Sequence, residues 1–322
     1  MVCGIAGVSG YNAFHWFRQR YGDVIGQRPR RNWNLNGENI IGHDLSEVDA
    51  IRSVLEARRV RTVINAGGSC ALKACELDPE MAQQLNVRNV DALLDAIEGT
   101  DVRLIHLSID LVYSGAGQGG HVEADPADPV TVYGRTMVEA EQLVLRRRPD
   151  SCILRISLPM GISFNGHAGA IDWIQHRFAN HRPATLYFDE VRTPTYVECL
   201  NEVIEDVIVS DMSGIYHCGG PRRLSLYEIA QIVNRVGGYD PDLLIGCPRI
   251  EAGPMPPRAG NVTMNSDKLT AALGRQPFQP WPLADSMVPT DRQWHYDRNA
   301  TQAFGSGSPE LIKQVLYRRS VG

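Results

Sequence analysis

The chain has 322 residues, of which 43% are hydrophobic and 21% charged, and its formal net charge is −5. This length suits about two domains with a sizeable core, and the composition is that of an ordinary globular protein. The acidic balance provides no basic surface for nucleic acid. The sequence contains no run of about 18 apolar residues that could span a membrane, so no membrane association is predicted.

The cysteines are seven in number and scattered along the sequence. Their spacing matches no zinc site, and we predict no metal centre. The N-terminus has no charged region followed by an apolar core, so it does not resemble a secretion signal. Reduced thiols and a cytoplasmic location are the expectation.

A short apolar run at the start of the chain predicts a buried first strand. Two glycine registers can follow it, Gly4-x-x-Gly7-x-x-Gly10 or Gly7-x-x-Gly10-x-x-Ala13. The first leaves three residues for the strand and the second leaves six, so we predict the second. Gly7, Gly10 and Ala13 then form a dinucleotide-binding turn, and the helix begins at about Tyr11 with its N–H groups facing the pyrophosphate.

The second strand is predicted near Asp23–Gly26, and a basic turn with Arg28, Arg30 and Arg31 follows it. An acidic residue in this turn would accept from the ribose 2′-hydroxyl of NAD, whereas arginine suits the 2′-phosphate of NADP. No acid occurs in the turn before Glu38. The turn therefore favours NADP, bound through Arg28, with NAD or a merely solvated basic turn as the alternatives.

Strands and helices continue to alternate up to about residue 156. Further strands are predicted at Asn39–Leu45, Arg61–Gly68, Val102–Ser108 and Cys152–Ile156. The small residues Ala66, Gly67 and Gly68 end the fourth strand with a turn that can pass under a dinucleotide. This alternation predicts an α/β fold with a Rossmann-type doubly wound parallel sheet.

Two stretches resemble a known active site. Residues 108–115 read SIDLVYSG and residues 132–137 read VYGRTM, with Tyr133 at the start of a helix. They are similar to S-T-D-Y-V-F-D-G and V-Y-G-R-S-K of the extended short-chain dehydrogenase/reductases, in the dTDP-4-dehydrorhamnose reductase branch. The resemblance continues through Arg192–Val197, Gly214–His217 and Asn265–Leu269, and so covers about residues 1–295.

The resemblance implies a cofactor domain and a smaller C-terminal α/β substrate domain. The cofactor domain is expected over residues 1–160, with a return segment at about 190–235. Residues 161–189 and 236–302 are expected to form the substrate domain, and 303–322 a linker and C-terminal helix.

The family also implies how ligands are held. Asp44 and Leu45 would lie beside the adenine, and Tyr133 and residue 137 beside the nicotinamide ribose. The substrate would be a small molecule resembling a nucleotide sugar. The late sequence is also similar to the regulatory β subunit of methionine adenosyltransferase, which implies a homodimer or a partner enzyme.

The family's catalytic set is incomplete in this sequence. Its threonine is replaced by Ile109 and its lysine by Met137, and only Tyr133 remains. Tyr133 and Met137 are four residues apart and share a helix face. An ammonium group about 4 Å from the phenolate would stabilise it by about 4 kcal/mol at an effective dielectric of about 20, or roughly three pK units. Met137 provides no such charge, so Tyr133 is poorly matched to acid–base work at neutral pH.

Other side chains could substitute for the missing groups. Ser108 and Asp110 flank Ile109, Cys70 lies just past the fourth strand, and Glu123 matches a family acid near the substrate. Each has a surface or packing role as its alternative. Three hypotheses remain: an atypical reductase or epimerase, a catalytically silent NADP-binding regulatory or scaffold subunit, or an engineered inactive variant. We favour the first.

Overall fold

The computed structural model describes residues 1–166, 169–298 and 309–318. In chain order the strands are β1 (Val2–Cys3), β2 (Gly26–Arg28), β3 (Ile40–Gly42), β4 (Thr62–Asn65), β5 (Arg103–Ile109), β6 (Cys152–Ile156), β7 (Pro159–Met160), β8 (Ala184–Tyr187), β9 (Val191–Arg192), β10 (Thr195–Tyr196), β11 (Gly214–Cys218), β12 (Leu224–Ser225) and β13 (Leu244–Cys247). The helices are α1 (Val8–Tyr21), α2 (Val48–Ala57), α3 (Leu72–Leu77), α4 (Pro79–Gln83), α5 (Asn89–Ala96), α6 (Val132–Arg147), α7 (Ala170–Ala179), α8 (Val197–Ile208), α9 (Leu226–Gly237), α10 (Asp267–Leu273) and α11 (Pro309–Leu316).

The main sheet has seven parallel strands in the spatial order β11-β6-β5-β4-β1-β2-β3. Every residue of β6 is buried, as are Leu104–Ser108 of β5. Central parallel strands are covered on both faces by helices, which is why they are rich in Ile and Leu and lack polar alternation. The predicted Rossmann-type sheet is confirmed.

Helices cover the two faces of the sheet through separate cores. On one face Phe14 of α1 and Val203 of α8 pack with Ile105 and Leu107 of β5. The opposite core contains side chains of α2, α5 and α6, together with Leu104 of β5. Strand β5 therefore contributes alternate side chains to each core. No helix within the described residues is both long enough and apolar enough to cross a bilayer.

The C-terminal half adds a second, smaller α/β layer. Strands β8 and β13 pair in parallel, and α9 packs against both of them and against α7. A capping box, in which Ser225 and Glu228 exchange hydrogen bonds, starts α9. The sequence assigned residues up to about 235 to the cofactor domain, but α9 packs with the smaller layer. Within this return segment, only two elements belong to the main sheet and its cover: β11 joins the sheet, and α8 packs on its face.

The C-terminal helix α11 packs on its own chain. Ile312 and Val315 are half-buried, and Leu316 is fully buried against the core that contains α9. The phenol of Tyr196 donates a hydrogen bond to the carbonyl of Val315 at 3.2 Å. The linker expected before this helix lies outside the described residues.

The first strand is shorter than predicted. β1 pairs with its neighbours through Val2 and Cys3 only, and α1 begins at Val8 with Gly7 as its N-cap. The expectations of a six-residue strand and a helix from about Tyr11 were wrong, and Ala13 is a buried core residue in the second turn of the helix.

Close backbone contacts explain the shorter strand. Gly4 has a φ of +76°, and a Cβ there would lie 2.5 Å from the carbonyl oxygen of Ala66. A Cβ on Gly10 would lie 2.4 Å from the carbonyl oxygen of Gly4. The loop after β4 and helix α1 thus both touch the turn after Cys3, so the glycine register is Gly4, Gly7 and Gly10.

These contacts predict different stabilities for two glycine variants. Gly10→Ala should lower the free energy of unfolding by about 1–3 kcal/mol, because the added methyl group overlaps backbone that cannot move aside. Gly7→Ala should change it little, because its Cβ would meet only the oxygen of Gly4, at 3.7 Å. Urea unfolding of both variants measures the difference, and equal stabilities would contradict the close packing.

Candidate functional site

The loops at the carboxyl ends of β1, β4 and β5 meet at one edge of the sheet, where helix α1 begins. No side chain caps the N-terminus of α1, and its first turn contains no acid. The first N–H groups of a helix have no intrahelical partner, and with the helix dipole they form an anion site. The residue at the cap is Gly7, so backbone alone faces this site.

The ends of β3 and β4 come together beside this helix terminus. A Cβ on Gly67 would lie 3.3 Å from a methyl carbon of Leu45. Leu45 is buried, and an oxygen of Asp44 accepts from the backbone N–H of Arg30 at 3.1 Å. The residues expected near the adenine therefore share one edge with those of the β4 turn.

Asn86 links the β4 turn to the helix that carries Tyr133. Its Oδ1 accepts from the N–H of Ser69 at 2.7 Å, and its Nδ2 donates to Oγ1 of Thr136 at 2.9 Å. Asn86 is buried in a π-helical turn, Gln84–Arg88. Sequence reasoning missed it, although an asparagine between apolar helical positions was an available signal.

In the basic turn after β2, Arg28 was predicted to contact the cofactor, but its guanidinium is hydrogen-bonded to the loop itself. The Nε of Arg28 donates to the carbonyl oxygen of Leu35 at 2.5 Å, and its Nη1 donates to two further loop carbonyls. Arg30 makes two hydrogen bonds to Glu47, at 2.6 and 2.7 Å. Arg31 is exposed and has no hydrogen-bond partner in the described part of the chain. Arg28 thus shapes the loop, while Arg31 faces solvent.

Tyr133 lies in the first turn of α6, which Thr131 caps by accepting from the N–H of Gly134 at 2.9 Å. Its ring is 7% exposed, and its hydroxyl has no hydrogen-bond partner in residues 1–166, 169–298 and 309–318. Burial holds the pKa of Tyr133 well above its ordinary value, and negative charge on nearby Cys70 and Asp110 adds to the effect. Cys70 itself is exposed.

Met137 and Ile109 stand where a cation and a hydroxyl were expected. Met137 is 5% exposed and packs in an apolar cluster with Tyr133, Cys75 and Met264. Ile109 ends β5 and packs against the same cluster. The surroundings of the phenol are therefore apolar on this side.

Asp110 is not a free acid. Both of its oxygens accept from Arg192 of β9, with Nε to Oδ2 at 2.6 Å and Nη2 to Oδ1. Ser157 donates to Oδ2 as well, at 2.6 Å. Asp110 and Arg192 are almost fully buried, so the pair is a structural connection between β5 and β9. Its role as a catalytic candidate is not supported by this geometry.

Comparisons with known proteins agree with this fold. The family model described as RmlD substrate binding domain matches residues 1–286. The chain belongs to this family. The resemblance to the dTDP-4-dehydrorhamnose reductase branch is thereby confirmed.

Individual relatives are more distant. A dTDP-4-dehydrorhamnose reductase of Aggregatibacter actinomycetemcomitans is 30% identical over 194 residues, which is 58% of this chain and 65% of that reductase, slightly under two thirds of its length. The methionine adenosyltransferase 2 subunit beta of Xenopus laevis is 25% identical over 71% of this chain and 69% of its own. A Bacillus anthracis dTDP-4-dehydrorhamnose reductase in complex with NADP superposes with a TM-score of 0.70 and 18% identity, covering 87% of this chain and 94% of that one. This last likeness shows the fold alone.

Ser108, another catalytic candidate in this family member, belongs to a buried network under α6. Its hydroxyl donates to Oε1 of Glu141 at 2.5 Å, and both Glu141 oxygens accept from Arg155, at 2.9 and 2.7 Å. Arg155 also donates to the phenol oxygen of Tyr113 at 2.7 Å. The network crosses β5, β6 and α6, and it leaves Ser108 no free position toward a substrate.

Glu123 is also a structural group. Its Oε1 accepts from the backbone N–H of His217 at 2.8 Å. The Nδ1 of His217 faces two carbonyl oxygens, of His121 at 3.1 Å and Asn265 at 3.2 Å, so Nδ1 carries the hydrogen. Nε2 then accepts from the hydroxyl of Tyr113 at 3.0 Å. Burial lowers the pKa of His217 to about 4, which keeps it neutral.

The positions of the predicted cofactor residues are consistent with one site. The catalytic candidates differ from each other, because some are hydrogen-bonded within the fold and others are not. Gly7, Asp44 and Gly67 lie at the same sheet edge, while Ser108 and Glu123 serve the architecture. The described residues contain no group of three or more His, Cys, Asp or Glu side chains that could hold a metal ion. Among the catalytic candidates, Tyr133 has no side-chain hydrogen bond in the described residues, Cys70 bonds only its own backbone, and Glu123 uses only Oε1.

Two buried histidines predict the pH dependence of stability. Burial lowers the pKa of both His106 and His217 to about 4, whereas an unfolded chain binds the proton near pH 6.5. Between about pH 6.5 and 4 the unfolded state therefore holds more protons, and the free energy of unfolding falls as the pH falls. Each histidine should remove about 2 kcal/mol between pH 8 and pH 5.

Urea unfolding at pH 8 and pH 5 measures this loss. His106→Asn and His217→Asn should each reduce the difference between the two pH values by roughly half of the histidine contribution. His181→Asn is the matched control, because His181 is exposed with a φ of +50° that asparagine tolerates. An unchanged difference in both buried-site variants would contradict the assignment.

Proposed function

We propose that the chain binds NADP(H) at the carboxyl edge of the sheet and acts as an oxidoreductase or epimerase on a nucleotide-activated sugar, with an altered catalytic centre. The observation that carries the proposal is the uncapped N-terminus of α1, held beside the β4 turn by the contacts of Gly4 and Gly10. Membership of the RmlD substrate binding domain family supports the sugar-nucleotide substrate. A Bacillus anthracis reductase that shares the fold is described in complex with NADP.

The residues at the edge of the sheet fit a dinucleotide. Gly7 presents only backbone to the phosphates, so a close approach to the first turn of α1 is sterically free. Ala66 and Gly67 add no bulky side chain beside this turn, and Asp44 keeps one carboxylate oxygen without a hydrogen bond in the described chain. Small side chains and free N–H groups are what a pyrophosphate requires.

The preference for NADP depends on the basic turn after β2. Arg31 is exposed and unpaired in the described structure, so it can approach a 2′-phosphate without losing an existing bond. Arg28 supports this turn through its bonds to loop carbonyls. We therefore assign the 2′-phosphate contact to Arg31 and the shaping of the loop to Arg28.

The chemistry of reduction is limited by the proton donor. When bound, a reduced nicotinamide dinucleotide supplies a hydride to a substrate carbonyl carbon, and the carbonyl oxygen needs a proton. Tyr133 holds that proton tightly, because burial raises the pKa of its phenol and Met137 supplies no charge. Ile109 cannot polarise the carbonyl. Turnover through Tyr133 should therefore be slow, and Cys70 is the other proton-bearing group near it.

A second function is favoured by one observation. Ser108, Asp110 and Glu123 are all bonded within the fold, which leaves few groups for acid–base work. A nucleotide-binding regulatory or scaffold subunit needs none of them, and the Xenopus laevis relative is named as a subunit, methionine adenosyltransferase 2 subunit beta. The stripe of α11 is a poor surface for a partner, because Leu316 is fully buried on its own chain.

Nucleotide titrations test the cofactor assignment. Arg31→Ala should weaken NADP binding about tenfold and leave NAD binding unchanged, because one charge-assisted contact to the 2′-phosphate is lost. Arg61→Ala, an exposed arginine at the opposite end of β4, is the matched control. Isothermal titration calorimetry measures both affinities. Equal losses for NAD and NADP, or no loss, would reject Arg31 as the phosphate contact.

Restoring the missing groups tests the catalytic argument. Met137→Lys combined with Ile109→Thr should raise NADPH-dependent reduction of a 4-keto nucleotide sugar at least tenfold, because the lysine lowers the pKa of Tyr133 and the threonine polarises the carbonyl. Met137→Leu with Ile109→Val keeps both positions apolar and is the control. Steady-state rates measured by NADPH absorbance give the result.

Single substitutions separate the enzyme from the silent subunit. In an enzyme, Tyr133→Phe or Cys70→Ser should strongly reduce the wild-type turnover. Neither substitution should alter a silent subunit, which would bind NADP(H) without measurable reduction. Fast wild-type turnover that is insensitive to both would place the chemistry elsewhere.

A further inference from the structure

The C-terminal segment, residues 309–318, is anchored to the smaller layer by buried contacts. Leu316 is fully buried, and Tyr317 is 7% exposed. The indole Nε1 of Trp281, itself fully buried, donates to the carbonyl oxygen of Leu316 at 3.1 Å. The end of this segment is thus fixed, and the hydroxyl of Tyr317 reaches helix α7.

A buried carboxylate connects Tyr317 with the loop after β7. The hydroxyl of Tyr317 lies 3.0 Å from Oε1 of Gln175 and 3.3 Å from Oδ1 of Asp172. The other oxygen of Asp172 accepts from both the N–H and the hydroxyl of Ser163, each at 2.6 Å. Asp172 is 5% exposed and pairs with no cation in the described residues, so it depends on these neutral donors.

The same loop is bonded to the first turns of α1. The side-chain Nδ2 of Asn12 donates to the carbonyl oxygen of Ile162 at 2.7 Å and to that of Val8 at 2.7 Å. Asn12 is buried, and a Cβ on Gly161 would lie 2.9 Å from its Nδ2. The loop therefore rests directly on the helix terminus that faces the proposed pyrophosphate.

We infer that Tyr317 and Asp172 are positioning residues for dinucleotide binding, through which the C-terminal segment holds the 161–166 loop against the first turns of α1. The inference depends on the proposed binding of NADP(H). The path runs by hydrogen bonds from Tyr317 through Asp172 to Ser163, and then along the chain to Ile162, whose carbonyl accepts from Asn12. Docking of the segment slows release of the dinucleotide, and by thermodynamic reciprocity the bound dinucleotide strengthens docking of the segment.

The contacts of Asp172 explain why loss of the Tyr317 hydroxyl would affect the 161–166 loop. A buried carboxylate that loses a donor leaves an acceptor unsatisfied, which costs more than the net value of the hydrogen bond. Since Ser163 supplies both remaining donors, the adjustment falls on the 161–166 loop. A purely structural role of Tyr317 would lower stability without changing nucleotide release.

The test compares two tyrosines of equal burial in the full-length chain. Tyr317→Phe should weaken NADPH binding about threefold to tenfold, chiefly through faster dissociation measured by stopped-flow fluorescence. Tyr227→Phe is the control, because Tyr227 is 6% exposed and its hydroxyl donates to the carbonyl of Arg292 at 2.9 Å, off this path. Both variants should lose similar thermal stability, but only the first should release NADPH faster.

Two further measurements define the outcome. The double variant Tyr317→Phe with Asp172→Asn should bind NADPH no more weakly than Asp172→Asn alone, because both act through one contact. In the wild type, saturating NADP should slow hydrogen exchange in residues 309–318. Wild-type binding with equal dissociation rates for Tyr317→Phe and Tyr227→Phe would overturn this inference alone. A wild type that binds no NADP(H) would overturn the proposed function and this inference together.

Discussion

The buried pair of Asp110 and Arg192 is the contact on which the arrangement of the site depends. Asp110 directly follows β5 of the main sheet, whereas Arg192 lies in β9, which pairs with β12 at the start of the smaller layer. Taking both charges out of water is costly unless the geometry is good and the remaining lone pairs are satisfied. Ser157 supplies that extra donor and also accepts from the N–H of Thr193. One ion pair therefore connects the end of β5, near Tyr133, with the start of the smaller layer.

Several polar side chains that the sequence suggested as catalytic are hydrogen-bonded within the fold. Ser108 is joined to Glu141 and Arg155, and Glu123 to the backbone of His217. Their bonds cross between strands and helices, so losing one would leave a buried partner unsatisfied. Such groups resemble catalytic candidates in sequence because both roles require polar residues at strand ends. The structure separates the roles by showing which oxygens are already occupied.

The catalytic positions of the family can change without loss of the fold. Met137 fills its place in an apolar cluster, and Ile109 packs beside the same cluster. Catalytic side chains point into a cleft and make few structural bonds, so replacement by apolar residues of similar size costs little stability. A family match over residues 1–286 therefore reflects the fold, and it does not show whether the family's catalytic side chains are present. For this reason family membership alone does not decide between an enzyme and a binding subunit.

The sequence predicted the parallel sheet, because buried strands are a local signal, and its small turn residues lie at the edge where we propose that the dinucleotide binds. It did not predict the turn after Cys3, which depends on backbone distant in the chain, or the bonds of Arg28, which run to carbonyls of its own loop. Gly4 is required by the approach of Ala66, and Arg28 is occupied by the carbonyl of Leu35. The pair of Asp110 and Arg192, 82 residues apart in the chain, has no local signature at all.

The proposed site combines a backbone-lined dinucleotide position with a phenol whose pKa is raised by burial. Interactions at the α1 terminus and the β4 turn would stabilise bound dinucleotide equally before and during a reaction, and such uniform binding does not accelerate chemistry. Acceleration needs a group whose interaction strengthens as charge develops on the substrate oxygen. Tyr133 is the residue that we propose for that role, but its phenol is buried beside Met137, and burial favours the protonated form. In this fold a positive charge next to one phenol oxygen would therefore separate a fast reductase from a protein that binds the nucleotide with slow turnover or none.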